Sequence, residues 1–308
     1  MIDKIVRSAR DLYKIDANKY IPISSKSAKI ECCNGKCYFV KKTNVNTDEK
    51  YRLLYNQGVH NVLYPKIING RYVNVKDNQT FILSDYYDSD VISNEYKTVN
   101  IIKELQVLHE QTKVKRVLSP NNSRKKMEEI FDYLTYKFNA LEAFVRSVEC
   151  GDYDENSILI LKNYQYIIDS KKIMAKINKK LILYIKNNKS VYYSFVHNNP
   201  TNNHLLVSNG NSYLISLEKS KLGIPSLDIV KYYIQNESIG VDIKELITEY
   251  FSRFDDSFYI EYFYFFVMLY YIKSINIVNN DYITSQTFVY AANKLNFFIE
   301  RFDLNNYK

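Results

Sequence analysis

The stretch from Tyr192 to Asp228 constrains the fold of this chain more than any other part of its sequence. Tyr192 to Val196 is apolar and aromatic, which predicts a short buried strand, and the HNNPTNN that follows must be a loop. Leu205 to Val207 and Tyr213 to Leu217 then predict a hairpin around Ser208 to Asn211. The sequence therefore places a polar loop before a hairpin, with a second polar segment after it.

Three polar residues in this stretch have the spacing that protein kinases use in their catalytic and metal-binding loops. A kinase loop carries an Asp followed five residues later by an Asn, and a second metal-binding Asp comes after the next hairpin. Here those positions hold Asn199, His204 and Ser216. The spacing is kept, but the carboxylates are replaced.

The stretch resembles the aminoglycoside and choline phosphotransferase superfamily, and within it the bacterial spore coat kinase-like proteins. The family pattern is H-G-D-x-x-x-x-N-[IL]-L, then I-D-[FL]-[DE] after a hairpin, then P-x-x-D-[LI]. In the same register this chain has His197-Asn198-Asn199, His204-Leu205-Leu206, Ile215-Ser216-Leu217-Glu218 and Pro225-Ser226-Leu227-Asp228-Ile229. The resemblance implies an α+β, bilobal protein-kinase-like fold. Residues 1–87 would form a small, mainly β N-lobe with an N-terminal helix and lid-like strands, and 88–308 a larger helical C-lobe.

The same resemblance implies a nucleotide cleft upstream. Lys41, at the end of the predicted strand 39–41, takes the position of the lysine that binds nucleotide phosphates, and Lys42 could serve instead. Glu49, at the start of a predicted helix, takes the position of the lysine's partner. Ser84-Asp85 falls where the hinge between the lobes would lie. Two solvated lysines at the end of a strand are the alternative interpretation.

The replaced positions bear on catalysis. The family's residue at 199 is an Asp that orients the acceptor hydroxyl, whereas the amide of Asn199 is not a base. The residue at 216 gives a carboxylate to magnesium, but Ser216 offers a neutral hydroxyl, and His204 prefers softer metals. His197 is expected to be structural. These replacements predict a pseudokinase that needs no cofactor and has a binding or scaffold role in spore coat assembly.

An active phosphotransferase that uses ATP and magnesium, on a small molecule or a protein, is the alternative function. It would keep Glu218 as a displaced magnesium ligand, with Asp228 or Glu237 as further carboxylates. If the strand continued past Ser216, Glu218 would lie on the same face, about 6 to 7 Å along it. To reach the same ion, Glu218 would need a local rearrangement of the chain.

Glycine is scarce in the region where a kinase covers the nucleotide. The chain has 7 glycines in 308 residues, and Ile21 to Ile30 contains none. A kinase uses a glycine-rich turn there, because only glycine lets backbone N–H groups approach the phosphates so closely. Ser24, Ser25 and Ser27 could offer hydroxyls instead.

A second feature nearby is the Asn-Gly pair at 34–35, which predicts a two-residue hairpin loop.

Composition and periodicity complete the expectations. The net charge of +8 comes from 42 basic and 34 acidic residues without a basic-aromatic stripe, so no nucleic-acid partner is expected. MIDKIVRSARDLYKI predicts an amphipathic helix, and Phe258 to Ile272 is too short to span a bilayer.

We expect a cytoplasmic or spore coat protein without a transmembrane segment, whose partner is a protein such as a coat component. The sequence leaves the oligomeric state open. Periodic apolar residues predict helices over Ile101–His109, Arg124–Glu149, Asp242–Phe254, Tyr259–Ile277 and Ser285–Phe302, and one or two helices over Ser157–Asn187.

Overall fold

The structure is a computed structural model that describes residues 2–151, 154–188, 190–237, 242–254, 256–277 and 281–307. Its elements in chain order are α1 (Ile2–Tyr13), β1 (Ala17–Ser24), β2 (Ser27–Cys32), β3 (Cys37–Lys42), α2 (Thr47–Asn56), β4 (Asn74–Lys76), β5 (Gln79–Asp85), α3 (Asn94–Gln111), β6 (Val114–Val117), α4 (Pro120–Glu149), α5 (Glu155–Asn187), β7 (Ser190–Val196), β8 (Leu205–Ser208), β9 (Asn211–Leu214), β10 (Lys221–Gly223), α6 (Ser226–Asn236), α7 (Ile243–Ser252), α8 (Phe258–Ser274) and α9 (Asp281–Arg301). Short 3-10 turns cover Asn202–His204, Leu217–Lys219 and Leu304–Tyr307.

The chain divides into two compact units. The first contains the described residues of 1–113 and 194–223, and the second those of 114–193, 224–237 and 242–308. The predicted lobe boundary after Tyr87 stays a prediction. The candidate site residues proposed between 41 and 85 and between 197 and 218 belong to the first unit, whereas Asp228 and Glu237 belong to the second.

The first unit is built on a five-stranded antiparallel sheet with the strand order β1-β2-β3-β5-β4. The predicted N-terminal helix is observed as α1, and it buries Ile5, Val6 and Ala9 against one face of this sheet. Val40 of β3 belongs to that core. Because successive side chains of a strand point to opposite faces, Lys41 lies on the other face of the sheet.

The β2–β3 turn differs from the two-residue loop predicted from Asn-Gly. The observed register pairs Glu31 with Cys37, and the amide of Cys32 donates to the carbonyl of Lys36 at 2.9 Å, so the loop has three residues. Gly35 adopts a φ of +76°, as in the bulge that follows a type I turn. The extra residue moves Cys37 out of register with Cys32, which the two-residue loop would have placed opposite it.

The hairpin predicted downstream is formed by β8 and β9, with Asn209 and Gly210 at φ of +52° and +75° in a two-residue loop. Its second strand is shorter than predicted, because β9 ends at Leu214 and Leu217 lies in a 3-10 turn. The amide of Leu214 donates to the carbonyl of Asn61 at 2.8 Å. In the same unit the end of β7 pairs with β10. These bonds hold the hairpin and the loops on either side of it.

The second unit is mainly helical, and α4, α5, α7, α8 and α9 correspond to predicted helices, although α8 ends at Ser274 and not at Ile277. The helix predicted over 101–109 lies within α3 of the first unit, and α6 was not predicted. α5 packs against α4, α8 and α9. At its centre Phe263 is fully buried, with ring centroids 5.5 to 5.8 Å from those of Tyr233, Phe251, Phe298 and Phe302. None of the helices that the structure describes is both long enough and apolar enough to cross a membrane.

We expect Phe263→Ala to destabilise the protein by about 3 to 5 kcal/mol, because it removes a buried ring and leaves a cavity among four aromatic neighbours. Tyr136→Ala is the matched control, since Tyr136 is a helical aromatic residue that is 71% exposed, and should cost about 0.5 kcal/mol or less. The free energy of unfolding of both variants is measured by chemical denaturation. Equal losses in the two variants would contradict the packing described for Phe263.

Candidate functional site

Lys41 is the centre of the candidate site. Its Nζ atom lies 2.7 Å from Oε1 of Glu218 and donates a hydrogen bond to Oγ of Ser216 at 3.0 Å. The contact with Glu218 is an ion pair without hydrogen-bond geometry, so the buried Oε1 atom receives no hydrogen bond. The side chains of Lys41 and Glu218 are 19% and 18% exposed, so water screens this pair only in part.

The backbone at Ser216 explains how Glu218 reaches this lysine. Ser216 adopts a left-handed conformation, with φ of +66° and ψ of +50°, and the 3-10 turn Leu217–Lys219 follows directly. Leu217 is fully buried and anchors the turn. The strand therefore does not continue to Glu218, and the spacing of 6 to 7 Å expected for a continuous strand does not apply. The turn brings both side chains to one ammonium group.

Helix α2 directs Lys50, and not Glu49, toward this turn. The Nζ atom of Lys50 donates to the backbone carbonyl of Glu218 at 2.6 Å, whereas Glu49 is exposed. Partial burial lowers the pKa of Lys50, and the nearby charge of Glu218 opposes this shift. The structure thus pairs Lys41 with Glu218 and Ser216 instead of Glu49, and a second lysine holds the turn from the other side.

His197 and Asn198 fix the loop that follows β7. His197 is fully buried, and its Nε2 atom lies 2.8 Å from the carbonyl oxygen of Ile215, while the amide of Asn199 donates to its Nδ1 atom at 3.3 Å. A carbonyl can only accept and an amide N–H can only donate, so the proton of this ring is on Nε2. Asn198 has a φ of +65° and donates to the carbonyl of Lys219 at 2.9 Å. Both side chains therefore connect the loop to the 215–219 segment.

His204 lies against this loop as a neutral ring. Its Nδ1 atom donates to the backbone carbonyl of Asn199 at 2.7 Å, and its ring stacks on His197 with centroids 5.4 Å apart. Burial lowers the pKa of His204, the bond to Asn199 opposes the shift, and the charges of Lys41 and Lys219 add to the lowering. The amide Nδ2 atom of Asn199 is 3.4 Å from the same ring nitrogen. His204 thus uses Nδ1 to hold the loop.

Two pockets of the first unit meet at Lys41. The apolar pocket has a volume of about 220 Å³ and contains Ser84, Asp85, Lys41, Ser216 and Glu218. Its apolar walls include Ile23, Phe39, Tyr51, Leu63, Ile82 and Leu206. Asp85 is also paired with Lys66 at 2.8 Å, with both side chains exposed. The residues proposed for the cleft from the sequence, except Glu49, therefore surround one cavity.

The basic pocket has a volume of about 370 Å³ and shares Lys41, Ser216 and Glu218 with the apolar pocket. The other residues that line it are Lys26, Lys42, Thr43, Asn44, Asn199, His204 and Lys219. Sequence analysis identified neither Lys26 nor Lys219 as a site residue. The only signal for Lys26 was its place in the glycine-free segment where a nucleotide lid is expected.

This set of residues does not fit magnesium. Magnesium binds through oxygen ligands, with carboxylates supplying the charge. The one carboxylate here, Glu218, is paired with Lys41, while Ser216 and Asn199 offer neutral oxygens. Among the residues that the structure describes, no group of three or more His, Cys, Asp or Glu side chains could hold a metal ion.

No model of a known protein family matches the sequence, and no curated protein matches it significantly. Solved structures do match over most of their length. The aminoglycoside phosphotransferase from Alicyclobacillus acidocaldarius superimposes with a TM-score of 0.55 at 9% identity, covering 96% of this chain and 95% of that one. A thermostable mutant of the aminoglycoside phosphotransferase APH(4)-Ia, in its apo form, gives a TM-score of 0.50 at 11% identity and coverages of 96% and 98%. The choline kinase from Streptococcus pneumoniae gives 0.45 at 15% identity and coverages of 95% and 99%.

At these identities the likeness shows the fold alone. The α+β class and the kinase-like plan predicted from the sequence are confirmed, with a β-sheet part and a larger helical part. The chain has the protein-kinase-like fold of the aminoglycoside phosphotransferases.

Proposed function

We propose that this chain is a pseudokinase that acts as a binding or scaffold protein. One observation carries the proposal: the ammonium of Lys41 is held by Ser216, at a position where the kinase-like pattern expects a metal ligand, and by Glu218, the possible substitute ligand. The ammonium of Lys41 thus lies beside Glu218, the carboxylate that a magnesium ion would need as a ligand.

The acceptor side of the site supports the same conclusion. Phosphoryl transfer depends on a residue that orients the acceptor hydroxyl and on metal ions that neutralise the charge developing on the phosphates. Asn199 offers an amide at the first position, and its backbone carbonyl is bonded to His204. The amide of Asn199 is not a base at neutral pH, since an amide does not titrate.

The finer part of the proposal is a place in spore coat assembly, with a coat protein as partner. It is supported by the resemblance of the 192–228 stretch to spore coat kinase-like proteins. A fluorescent fusion followed through sporulation of the host tests it, and a signal that never concentrates at the forespore would contradict it.

A second candidate function is active phosphotransfer with Glu218 as the magnesium ligand. The left-handed Ser216 favours it, because this turn brings the carboxylate of Glu218 beside Ser216, as the displaced-ligand hypothesis requires. Lys41 would then have to leave Glu218 when the metal binds. Glu237 cannot be counted as a free ligand, because its carboxylate contacts Lys294 and Tyr271 within the second unit.

We expect magnesium not to raise the melting temperature, either alone or in the presence of ATP. The reason is that Glu218, the one carboxylate among the residues that line the basic pocket, is already paired with Lys41. A ligand present at 100 times its dissociation constant would add about 2.7 kcal/mol, which thermal denaturation detects easily. Sodium chloride at the same ionic strength is the control, and a rise specific to magnesium would contradict the pseudokinase proposal.

A variant with restored carboxylates is the positive control for that experiment. Asn199→Asp, His204→Asn and Ser216→Asp together would surround one point with oxygen ligands, and Asp tolerates the left-handed backbone of position 216. We expect calorimetry to detect magnesium binding by this triple variant and none by the parent protein. No gain in the triple variant would show that these three positions do not converge on one ion.

We expect Lys41→Met to lower the free energy of unfolding by about 1 to 2 kcal/mol, because it leaves a largely buried carboxylate without its counter-charge. Adding Glu218→Gln should cost less than the sum of the single variants, with a coupling of about 1 kcal/mol. Lys244→Met is the control, since its pair with Asp303 is exposed and should be worth about 0.5 kcal/mol. Additive losses from Lys41→Met and Glu218→Gln would mean that the two side chains do not form a pair.

A further inference from the structure

The basic pocket carries an excess of positive charge. Four lysines line it, namely Lys26, Lys41, Lys42 and Lys219, against one carboxylate, Glu218. Because Glu218 and Lys41 form an ion pair at 2.7 Å, they neutralise each other. His204 adds no charge at neutral pH, since burial lowers its pKa. The remaining charge comes from three lysines.

These three lysines form no ion pair in the part of the chain that the structure describes. No carboxylate of the described residues lies within ion-pair distance of Lys26, Lys42 or Lys219. Grouping like charges around one cavity raises the energy of the protein unless an anion binds there. The charge pattern therefore points to an anionic ligand.

The backbone holds these lysines in place from three separate segments. Lys26 lies in the β1–β2 turn, where its carbonyl accepts from the amide of Lys42 at 2.8 Å at the end of β3. Lys219 lies in the 3-10 turn, where its carbonyl accepts from Asn198. All three lysines are exposed to solvent. Three backbone segments thus bring their lysines to one cavity.

The chemistry of the lining selects among anions. A lysine ammonium acts as a point charge that binds phosphate well, without the paired geometry that arginine offers to a carboxylate. The side chains of Thr43, Asn44 and Asn199 add polar groups, and the cavity of about 370 Å³ has room for more than one phosphoryl group. Several charges on one ligand match three lysines better than a single carboxylate does.

We infer that the basic pocket binds a small ligand with a polyphosphate group directly through Lys26, Lys42 and Lys219, without a divalent cation. The inference rests on the proposed function, because it assigns to lysines the charge neutralisation that magnesium provides in an active kinase. The anion competes with Glu218 for Lys41, so the ion pair limits the affinity. The ligand is inorganic polyphosphate or a nucleotide whose base enters the apolar pocket, which shares Lys41, Ser216 and Glu218.

Calorimetry of the full chain with sodium tripolyphosphate in EDTA tests the site. We expect binding that the triple variant Lys26→Ala, Lys42→Ala and Lys219→Ala weakens by about tenfold or more, and that weakens with rising salt. The matched control replaces Lys19, Lys36 and Lys103 by Ala, which are equally exposed lysines of the same unit outside the basic pocket. This control removes the same net charge and should stay within about twofold of the parent. Equal weakening in both triple variants would overturn the site, because the attraction would then be general.

Glu218→Gln gives the second arm of the test. It removes the competing carboxylate, so we expect tripolyphosphate to bind severalfold more tightly in EDTA. A weaker affinity in EDTA would overturn the inferred competition. Calorimetry with ATP in EDTA distinguishes the two possible ligands. If ATP binds more tightly than tripolyphosphate, the base of the nucleotide contributes to binding, as expected if it enters the apolar pocket. If both bind equally, the polyphosphate group alone is recognised.

The failure of this inference differs from that of the proposed function. Absence of tripolyphosphate and ATP binding, with and without magnesium, would overturn the polyphosphate site and leave the pseudokinase proposal standing. Binding that requires magnesium and is lost in Glu218→Gln would overturn both, because Glu218 would then be a metal ligand.

Discussion

The ion pair between Lys41 and Glu218 is the interaction on which the rest of the site depends. It joins β3 of the main sheet to the turn that follows β9, and Ser216 of that turn lies 175 residues from Lys41 along the chain. The turn reaches the lysine only because Ser216 is left-handed, a conformation that costs an L-residue about 1 to 2 kcal/mol. The two pockets share this contact as a common wall. Any ligand that enters either pocket therefore meets the same pair of charges.

A fixed ammonium and a magnesium ion are not equivalent at such a position. Lysine brings one charge and three donors on a tether, whereas magnesium brings two charges and demands an octahedron of oxygen ligands. Glu218 cannot bind the Lys41 ammonium and a magnesium ion at full strength at the same time, because the charge of each cation weakens the attraction of the carboxylate for the other cation. The basic pocket meets the need for positive charge in another way, with lysines from the β1–β2 turn, β3 and the 3-10 turn. Anion binding can thus be separated from the metal that phosphoryl transfer requires.

The sequence predicted the kinase-like plan because the spacing of polar residues between 192 and 228 reflects a fixed strand, loop and hairpin. Local geometry was harder to predict. The same Asn-Gly pair makes a two-residue loop at 209–210 but lies in a three-residue loop at 34–35, since only the former has positive φ at both positions. The helix start near Glu49 was right, yet one residue along a helix turns the side chain by about 100°, so Lys50 reaches Glu218 instead. Nothing in a serine predicts the left-handed backbone at 216.

The bonds that shape the loop explain how this fold can persist without catalytic carboxylates. The buried ring of His197 bonds to the backbone of Ile215, and Asn198 bonds to the backbone of Lys219. The bond from His204 likewise ends on the backbone carbonyl of Asn199. None of these bonds uses the side chain at 199 or 216, where the chemistry of a kinase would lie. The hydrogen bonds that shape the loop therefore do not depend on the side chains at 199 and 216.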